Sequence, residues 1–362
     1  MGLSQRVFAL LLKPLGKAQP LPKSPQAIFV LRNNDLGDVL VITPVFAALK
    51  KRFPKARIIA GVGDWAAPLL KGNPNIDAIV TMNAPWHNKA NCRHSPNSPM
   101  GFLLSLKYIL FSTEAKALRQ EKADVGIDIL GSPQGTLLMA RADIPYRIGV
   151  RGYAGGDTGC QASVDFDSNQ TVANQAFKQL TLLGATSPEE TRPQIYLSQS
   201  EIDEAQTRWG ERKRRLVIAP GSGIIEKSWP IKNFCNLAKL CSQASWDIAI
   251  IGGAKDKQLG AAINKAIDGK ALDMTGSLTM RETCAMVQST HSLIGNSSVA
   301  IHIAAAFSIP TLVVLGPLFE SASQHQKQWG SPGQIHLGRD TDKPQIATPD
   351  EAYTALESLS SK

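Results

Sequence analysis

Two aspartates, Asp35 and Asp38, stand in a short turn between an apolar run and a segment with helical spacing. A carboxylate at such a place has two common roles. It can cap the following helix by accepting backbone N–H bonds, or it can serve as a general base that takes a proton from a bound substrate. Gly37 permits a tight turn directly before Asp38. Asp38 is therefore the first candidate for chemistry, and both roles stay open.

The segments around Asp38 alternate between strand and helix patterns. The run "AIFVLR" is typical of a buried parallel strand, and "PVFAALKKRFP" after the turn has helical spacing. A second series of the same kind begins at "RLVIAPGS". This alternation predicts an α/β fold with doubly wound parallel sheets. Ligands of such sheets bind at the carboxyl ends of the strands, which is where Asp38 is expected.

The chain is longer than one hydrophobic core usually supports, which predicts two domains. We place a leader at 1–24, a first Rossmann-like domain at 25–198, a second at 199–345 and a C-terminal helix at 346–362. The leader has a basic, apolar, basic pattern. It is interpreted either as an interfacial amphipathic segment or as a disordered leader.

Composition limits the partners and the compartment. The 39 Lys and Arg against 30 Asp and Glu give a net charge of +9, which favours an anionic partner. The basic residues are scattered and only 6% of the chain is aromatic, which argues against nucleic acid. The five cysteines lack paired short spacing and indicate reduced thiols, hence a cytoplasmic protein. A peripheral contact of the leader with the inner membrane is a further expectation.

No metal site is predicted. His87, Cys92 and His94 share one loop, but no fourth ligand has the spacing of a zinc site. Asp165 and Asp167 form an Asp-x-Asp pattern that metal-dependent transferases use. They follow a probable strand in the first half of the chain, and we interpret them as a solvated turn.

Longer motifs resemble glycosyltransferase family 9, the bacterial heptosyltransferases. The segment "FVLRNNDLGDVLVITPVFAALKKRFPKARI" is similar to the family's first motif, in which a strand leads to a Leu-Gly-Asp turn and a Thr-Pro helix. Three further segments resemble the family in order: "DVGIDILGSPQGTLLMARADIPYRIGV", "IAPGSGIIEKSWPIKNFCNLAKLC" and "MTGSLTMRETCAMVQSTHSLIGNSSVAIHIAAAFSIPTLVVLGP". The resemblance implies a GT-B type fold, with two Rossmann-like domains whose parallel sheets face a central cleft.

The resemblance also implies a reaction. It would be inverting transfer of heptose or a related sugar from a nucleotide-diphosphate donor, ADP-heptose, to a lipopolysaccharide core or similar anionic glycolipid, without metal or cofactor. The first domain would bind the acceptor and the second the nucleotide sugar. Asp38 and Lys227 would be catalytic, as the base and as the cation that holds the leaving diphosphate. The implied acceptor-side residues are Asn34, Gly37 and Arg147, and the implied donor-binding residues are Ser222, Lys227, Asp256, Leu278, Ser297, Ser298, Val299 and His302.

The chain departs from the family at one place. The family has Asp, then Ser or Thr, then Gly, where this chain has Ser297, Ser298 and Val299. Serine is shorter than aspartate and uncharged, and a β-branched valine resists the positive φ that glycine allows. The departure leaves open a different donor sugar, a reshaped site or lost activity. The departure motivates one alternative to the transferase, a non-catalytic nucleotide-sugar-binding member of the family. A nucleotide-sugar epimerase, a related enzyme built on paired Rossmann-like domains, is a second alternative.

Overall fold

A computed structural model describes residues 7, 10, 12–17, 19–186 and 191–360. The chain forms two compact units, Met1–Thr191 and Arg192–Lys362, which divide shortly before the boundary predicted at 198. Ten residues of the predicted leader at 1–24 lie outside the described residues, and so do the last two residues of the predicted C-terminal helix. The described end of the leader forms a short 3₁₀ turn at Lys13–Gly16.

The first unit is built on a parallel six-stranded sheet. Its strands are β1 (Ala27–Leu31), β2 (Arg57–Val62), β3 (Ala78–Thr81), β4 (Val125–Asp128), β5 (Tyr146–Arg151) and β6 (Ala162–Asp165). Its helices are α1 (Leu36–Val41), α2 (Pro44–Arg52), α3 (Ala67–Leu70), α4 (Pro99–Phe111), α5 (Thr113–Gln120), α6 (Pro133–Arg141) and α7 (Val172–Thr181). The sheet order is β3-β2-β1-β4-β5-β6, and every residue of the central strand β1 is buried.

The second unit repeats this plan. Its strands are β7 (Arg215–Ala219), β8 (Asp247–Ile250), β9 (Leu272–Asp273), β10 (Ser292–Gly295), β11 (Thr311–Val314) and β12 (Gln334–Leu337). Its helices are α8 (Gln199–Trp209), α9 (Ile231–Gln243), α10 (Lys257–Ala266), α11 (Met280–Gln288), α12 (Val299–Ala306), α13 (Ala322–Trp329) and α14 (Pro349–Ser360). The order β12-β11-β10-β7-β8-β9 is again that of a doubly wound sheet.

In each sheet the first strand lies beside the fourth, so the strand order reverses between β1 and β4 and between β7 and β10. The loops that leave the two strands at such a point run to opposite faces of the sheet. They open a crevice at the carboxyl edge, where open α/β sheets bind their ligands. The predicted α/β class with two Rossmann-like parallel sheets is confirmed. The turn that carries Asp38 follows β1, and the predicted phosphate-binding segments follow β7 and β10.

Helix α14 completes the core of the second unit. Ala352 and Leu356 are fully buried in the same apolar cluster as Trp229. The indole N–H of Trp229 donates to the carbonyl of Ala347 at 2.8 Å, just before the helix. Glu357 accepts from the Arg214 guanidinium, also at 2.8 Å. The predicted C-terminal helix is therefore an integral part of this unit.

Candidate functional site

Asp38 lies in the first turn of α1, and a neighbouring arginine fixes its carboxylate. Asp35 occupies the N-cap position, without a side-chain capping bond, so the N-cap role considered for Asp38 is wrong. Arg32 donates from Nη2 to Asp38 Oδ1 at 2.8 Å. The Arg32 side chain is 6% exposed and that of Asp38 is 27% exposed. A buried guanidinium thus holds a carboxylate that still faces outward, which suits a group that must receive a proton from a ligand.

The loop after β3 packs onto the same turn. The side-chain amide of Asn33 donates to the carbonyl of Trp86 at 3.1 Å, and that of Asn34 donates to the carbonyl of His87 at 2.8 Å. Trp86 is fully buried and packs edge to face against Tyr108, with ring centroids 5.3 Å apart. Asn34 therefore serves to position this loop. The composition of the loop predicts only that it is long and irregular.

His87 brings a neutral imidazole next to Arg32. Burial, and then the charge of Arg32, lower the pKa of His87 to about 4. Asp35 anchors the same loop two residues further on, because its Oδ1 accepts the backbone N–H of Lys89 at 2.8 Å. Arg32 and His87 were both missed as site residues by the sequence analysis. Arg32 directly follows β1, which is the only sequence signal that could have pointed to it.

Arg147 lies inside the first unit and not on the turn that carries Asp38. It is 6% exposed, and burial lowers the pKa of its guanidinium. It donates to the carbonyls of Ile144 at 2.5 Å, Gly159 at 3.1 Å and Leu15 at 2.6 Å. These bonds tie β5 to the loop before β6 and to the described end of the leader.

Gly37, the third acceptor-side prediction, lies within α1 beside Asp38.

In the second unit, Asn296 joins the two segments that flank the strand reversal. It follows β10 and is 1% exposed. Its Nδ2 donates to the carbonyl of Pro220 at 2.6 Å, and its Oδ1 accepts the backbone N–H of Trp229 at 2.8 Å. Both ends of the amide are thus used, which holds the loop after β7 against the turn after β10. Asn296 stands between the motif residues of the sequence analysis and was not identified there.

Lys227 lies in a 3₁₀ turn at Ile225–Lys227, between β7 and α9. Its ammonium stands 5.4 Å from the centroid of the Phe319 ring, and its carbonyl accepts the backbone N–H of Gly316 at 3.1 Å. It forms no ion pair with any described residue. Ser222 lies in the same loop, and its hydroxyl donates to the carbonyl of Ile224 at 3.0 Å. The structure thus holds a partly exposed cation at the carboxyl edge of the sheet.

Asp256 lies against the turn after β7. Its Oδ2 accepts the backbone N–H of Gly253 at 2.8 Å. A Cβ added to Gly221 would lie 2.5 Å from the same oxygen, so only glycine allows this close approach. Asp256 and the Ser222 loop are therefore brought together as the resemblance implies. Leu278 lies partly buried in the turn before α11, and no described contact links it to Asp256.

The segment that departs from the family begins α12. Val299 is the first helical residue and is not among the residues with positive φ, so the expected conflict of a β-branched side chain with a positive φ is wrong. Ser298 is the N-cap and makes no side-chain capping bond. The Ser297 hydroxyl lies 2.8 Å from Nε2 of His325 on α13. Ser297 therefore has a partner that no sequence motif indicated.

Three buried histidines gather beside Ser297. His302 on α12 is 4% exposed, and its Nδ1 has no hydrogen-bond partner in the described structure. His325 and His336 face each other with their Nδ1 atoms 2.8 Å apart. Burial lowers the pKa of His302 and His325 to about 4 and that of His336 to about 3. All three rings are therefore neutral near pH 7, including His302, which the resemblance places beside the donor phosphates.

These buried histidines make the second unit sensitive to acid. Between about pH 6.5 and pH 4 the unfolded chain binds protons that the folded chain excludes, so the free energy of unfolding falls as pH falls. The slope is about 1.4 kcal/mol per pH unit for each histidine.

We predict that His302→Leu reduces the slope of the unfolding free energy against pH by about the contribution of one histidine, as measured by urea unfolding between pH 6.5 and 4.5. His94→Ala, at an exposed histidine, is the control. An unchanged slope in His302→Leu would contradict the assignment.

The remaining candidate ligands are engaged elsewhere. Asp165 pairs with Arg151 at 2.6 Å and Asp167 with Lys178 at 3.3 Å. Within the described residues, no group of three or more His, Cys, Asp or Glu is arranged to hold a metal ion. Among the helices that the structure describes, none combines the length and apolarity needed to cross a membrane.

Comparisons with known proteins agree with this geometry. The sequence profile described as "Glycosyltransferase family 9 (heptosyltransferase)" matches residues 113–331, more than half of the chain. Lipopolysaccharide heptosyltransferase 2 of Salmonella typhimurium is 23% identical over 304 residues, which cover 80% of this chain and 82% of that protein. Two solved structures share the fold.

The family 9 glycosyl transferase from Veillonella parvula superposes with a TM-score of 0.76 at 18% identity, over 95% of this chain and 99% of that one. The E. coli ADP-heptose lipopolysaccharide heptosyltransferase II gives a TM-score of 0.71 at 18% identity, over 92% of this chain and 98% of that one. The GT-B type implied by the resemblance is confirmed. The chain belongs to glycosyltransferase family 9 and is a glycosyltransferase.

Proposed function

We propose that this glycosyltransferase moves heptose or a related sugar from ADP-heptose to a lipopolysaccharide core, with inversion at the anomeric carbon. The observation that carries the proposal is the outward-facing Asp38 carboxylate fixed by Arg32 at the strand reversal of the first unit. Family membership supports the reaction class. The names of the Salmonella and E. coli relatives support the donor and the acceptor class.

The acceptor step uses Asp38 as general base. As an acceptor hydroxyl oxygen attacks the anomeric carbon, its proton passes to the Asp38 carboxylate, and the bond from that carbon to the diphosphate oxygen breaks. One displacement of this kind inverts the anomeric configuration. Arg32 keeps the carboxylate oriented through the 2.8 Å bond, so little reorganisation is needed when the proton arrives.

In the same displacement, groups of the second unit stabilise the leaving diphosphate. Negative charge grows on it as the glycosidic bond breaks, and a fixed cation lowers the barrier most when it faces that charge. Lys227 supplies a point charge. The first turn of α12, which Ser298 leaves without a side-chain cap, supplies backbone N–H groups and the positive end of a helix dipole. Asp256, at the Gly221 turn, is proposed to bind the ribose. These groups supply the positive charge from the chain itself, and we propose a reaction without metal or cofactor.

The test begins with donor binding and continues with product analysis. Calorimetric titration with ADP-heptose, GDP-mannose and UDP-glucose measures nucleotide selectivity. Incubation with heptose-deficient lipopolysaccharide cores, followed by mass spectrometry and NMR of the anomeric proton, measures transfer and configuration. Adenine-selective binding with an inverted product supports the proposal. Binding without transfer to any core favours a non-catalytic binding protein, and a changed free nucleotide sugar without acceptor favours an epimerase.

An apolar face on α4 supports a peripheral contact with an anionic membrane. Met100, Leu103, Leu110 and Phe111 are 51%, 59%, 41% and 70% exposed. Between Asp77 and Glu114 the chain contains Lys89, Arg93 and Lys107 and no acidic residue. An exposed apolar face within a basic, acid-free segment suits the surface of a bilayer with anionic headgroups. The loop that packs on the Asp38 turn leads directly into α4, so such a contact would lie on the acceptor side.

We predict that the protein co-sediments with phosphatidylglycerol-containing vesicles and that Leu103→Ser combined with Phe111→Ser lowers the bound fraction at least fivefold, because about 0.8 kcal/mol is lost per unburied methylene. Tyr153→Ser, at another exposed apolar residue of the same unit, is the matched control. Equal binding of all three proteins would show that α4 does not carry the contact.

A further inference from the structure

A line of hydrogen bonds runs from the surface at Ser297 into the second unit. The Ser297 Oγ lies 2.8 Å from His325 Nε2, and His325 Nδ1 lies 2.8 Å from His336 Nδ1. His336 Nε2 in turn lies 3.5 Å from Gln334 Oε1. His325, His336 and Gln334 are 7%, 6% and 5% exposed, whereas Ser297 is partly exposed. We call these four residues the histidine relay, with Gln334 at its closed end and Ser297 at its open end.

The orientation of the Gln334 amide is fixed by two other bonds. Its Nε2 donates to the carbonyl of Ile301 at 2.7 Å, and its Oε1 accepts the backbone N–H of Ser331 at 3.0 Å. If the amide were flipped, its NH₂ group would face the Ser331 N–H and its oxygen would face the Ile301 carbonyl oxygen. The amide oxygen therefore faces His336, and it can only accept a hydrogen bond.

This orientation determines the tautomers along the relay. Nε2 of His336 carries a hydrogen, because a lone pair there would face the lone pairs of Gln334 Oε1. In a neutral ring His336 Nδ1 is then an acceptor, so the hydrogen of the 2.8 Å bond belongs to Nδ1 of His325. His325 Nε2 is left with a lone pair, which accepts the Ser297 hydroxyl hydrogen. The low pKa values of both rings, about 4 and about 3, agree with the neutral state.

We propose that the histidine relay turns the Ser297 hydroxyl into a hydrogen-bond acceptor toward a bound ligand and thereby selects a ligand hydroxyl at that position. The hydrogen of Ser297 is committed to His325, so only oxygen lone pairs face outward. A serine held in this way offers what a carboxylate offers, acceptor capacity without a donor, but without the negative charge. Ser297 is thus a specificity-determining residue, and His325, His336 and Gln334 are positioning residues.

The surroundings identify the class of ligand, and this step rests on the proposed function. Phe319 packs edge to face on His325, with centroids 5.0 Å apart, and Lys227 stands over the same Phe319 ring. Asn296, directly before Ser297, bonds to the backbone of Trp229, two residues after Lys227. An anion-binding cation thus lies near an acceptor for hydroxyls. A ligand with a diphosphate next to a polyhydroxylated ring, a nucleotide-diphosphate sugar, has both complementary groups.

The first arm of the test reads the tautomers directly. In ¹H–¹⁵N long-range spectra of protein with ¹⁵N-labelled histidine, assigned with His325→Phe and His336→Phe, we expect hydrogen on Nδ1 of His325 and on Nε2 of His336. Ser297→Ala should shift the Nε2 signal of His325, because that lone pair loses its donor. Hydrogen on Nε2 of His325 in the wild type would overturn the relay. This arm needs no ligand and no activity.

The second arm measures hydroxyl selection. ADP-heptose and analogues with one ring hydroxyl replaced by fluorine, which accepts but does not donate, are titrated calorimetrically. The wild type should bind one analogue about tenfold more weakly than ADP-heptose. Ser297→Ala and His325→Phe should lose this difference, and Ser297→Asp should keep it, since a carboxylate is also acceptor-only. His94→Ala, in the other unit, is the control.

The outcomes separate the inference from the function on which it rests. If Ser297→Ala still binds the fluorinated analogue about tenfold more weakly than ADP-heptose, the role of Ser297 in selecting a hydroxyl is overturned. Stoichiometric labelling of Ser297 by a fluorophosphonate would overturn it as well, because it would assign a nucleophile. If the wild type binds no nucleotide sugar at all, the proposed function fails together with the ligand class, and the spectra then decide the relay alone.

Discussion

An Asp38→Asn enzyme is expected to lose about 10²- to 10⁴-fold in kcat, the usual contribution of a positioned general base. Asparagine keeps the size and the hydrogen-bonding oxygen of aspartate but cannot take up the proton of the attacking hydroxyl. The loss should appear in kcat and not in the affinity for ADP-heptose, because the Asp38 turn belongs to the first unit and the proposed donor groups to the second. Steady-state transfer assays combined with donor calorimetry measure both quantities.

Asp35→Asn is the matched control for this substitution. Asp35 stands one turn earlier, is a carboxylate with similar exposure and contacts Lys89 in place of Arg32. It should change kcat by only a few-fold, since its bonds hold the loop after β3 and face no reacting atom. A comparable loss in both variants would mean that the turn is needed only for its shape, and full activity in Asp38→Asn would remove the base from the mechanism.

The second large effect is expected at Lys227. Lys227→Met preserves most of the length of the side chain and removes the ammonium that faces the proposed diphosphate. We expect kcat to fall about 10²- to 10³-fold, the range found when one preorganised group of this kind is removed. Donor affinity should also weaken, because the ground-state diphosphate is already charged. The first-turn N–H groups of α12 remain, so residual transfer should stay measurable.

Lys232→Met serves as the control, because it removes an exposed ammonium from α9 in the same unit. Its kcat should match the wild type. Lys227→Arg should recover part of the lost rate, because the charge returns with a different shape. If Lys227→Met keeps full kcat while Asp38→Asn is inactive, the leaving group is stabilised without Lys227.

Sequence patterns predicted the fold because strand and helix periodicity is a local signal, whereas Asp38 and Lys227 were named as the two central groups through the resemblance to the family. The alternation of strand and helix patterns occurs once in each half of the chain, and the turns after β1 and β7 carry residues of the family motifs. The N-cap alternative for Asp38 failed by one turn of helix, because α1 begins at Leu36. Propensity rules place helix ends only to within a few residues, and one turn was enough to change the role of this carboxylate.

The supporting groups could not be predicted, because they meet only in the folded chain. Asn296 bonds to a carbonyl 76 residues earlier, and His325 contacts Ser297 across 28 residues. These neutral polar residues carry no periodic pattern. Considered alone, serine at position 297 left open a different donor sugar, a reshaped site or lost activity. Its partner His325 stands in the unremarkable segment "SASQHQKQW", and only the structure shows that the two belong together.

The contacts that close the second unit join its first segments to its last. Arg214 pairs with Glu357 across 143 residues, and Trp229 bonds to Ala347 across 118. A ribosome adds about 5 to 20 residues per second, so on the order of ten seconds separate the appearance of these partners during translation. The first unit, which ends before residue 192, can fold in that interval. The apolar strands of the second unit are thus made before the last helix that packs against them, so its core closes only when the end of the chain has been synthesised.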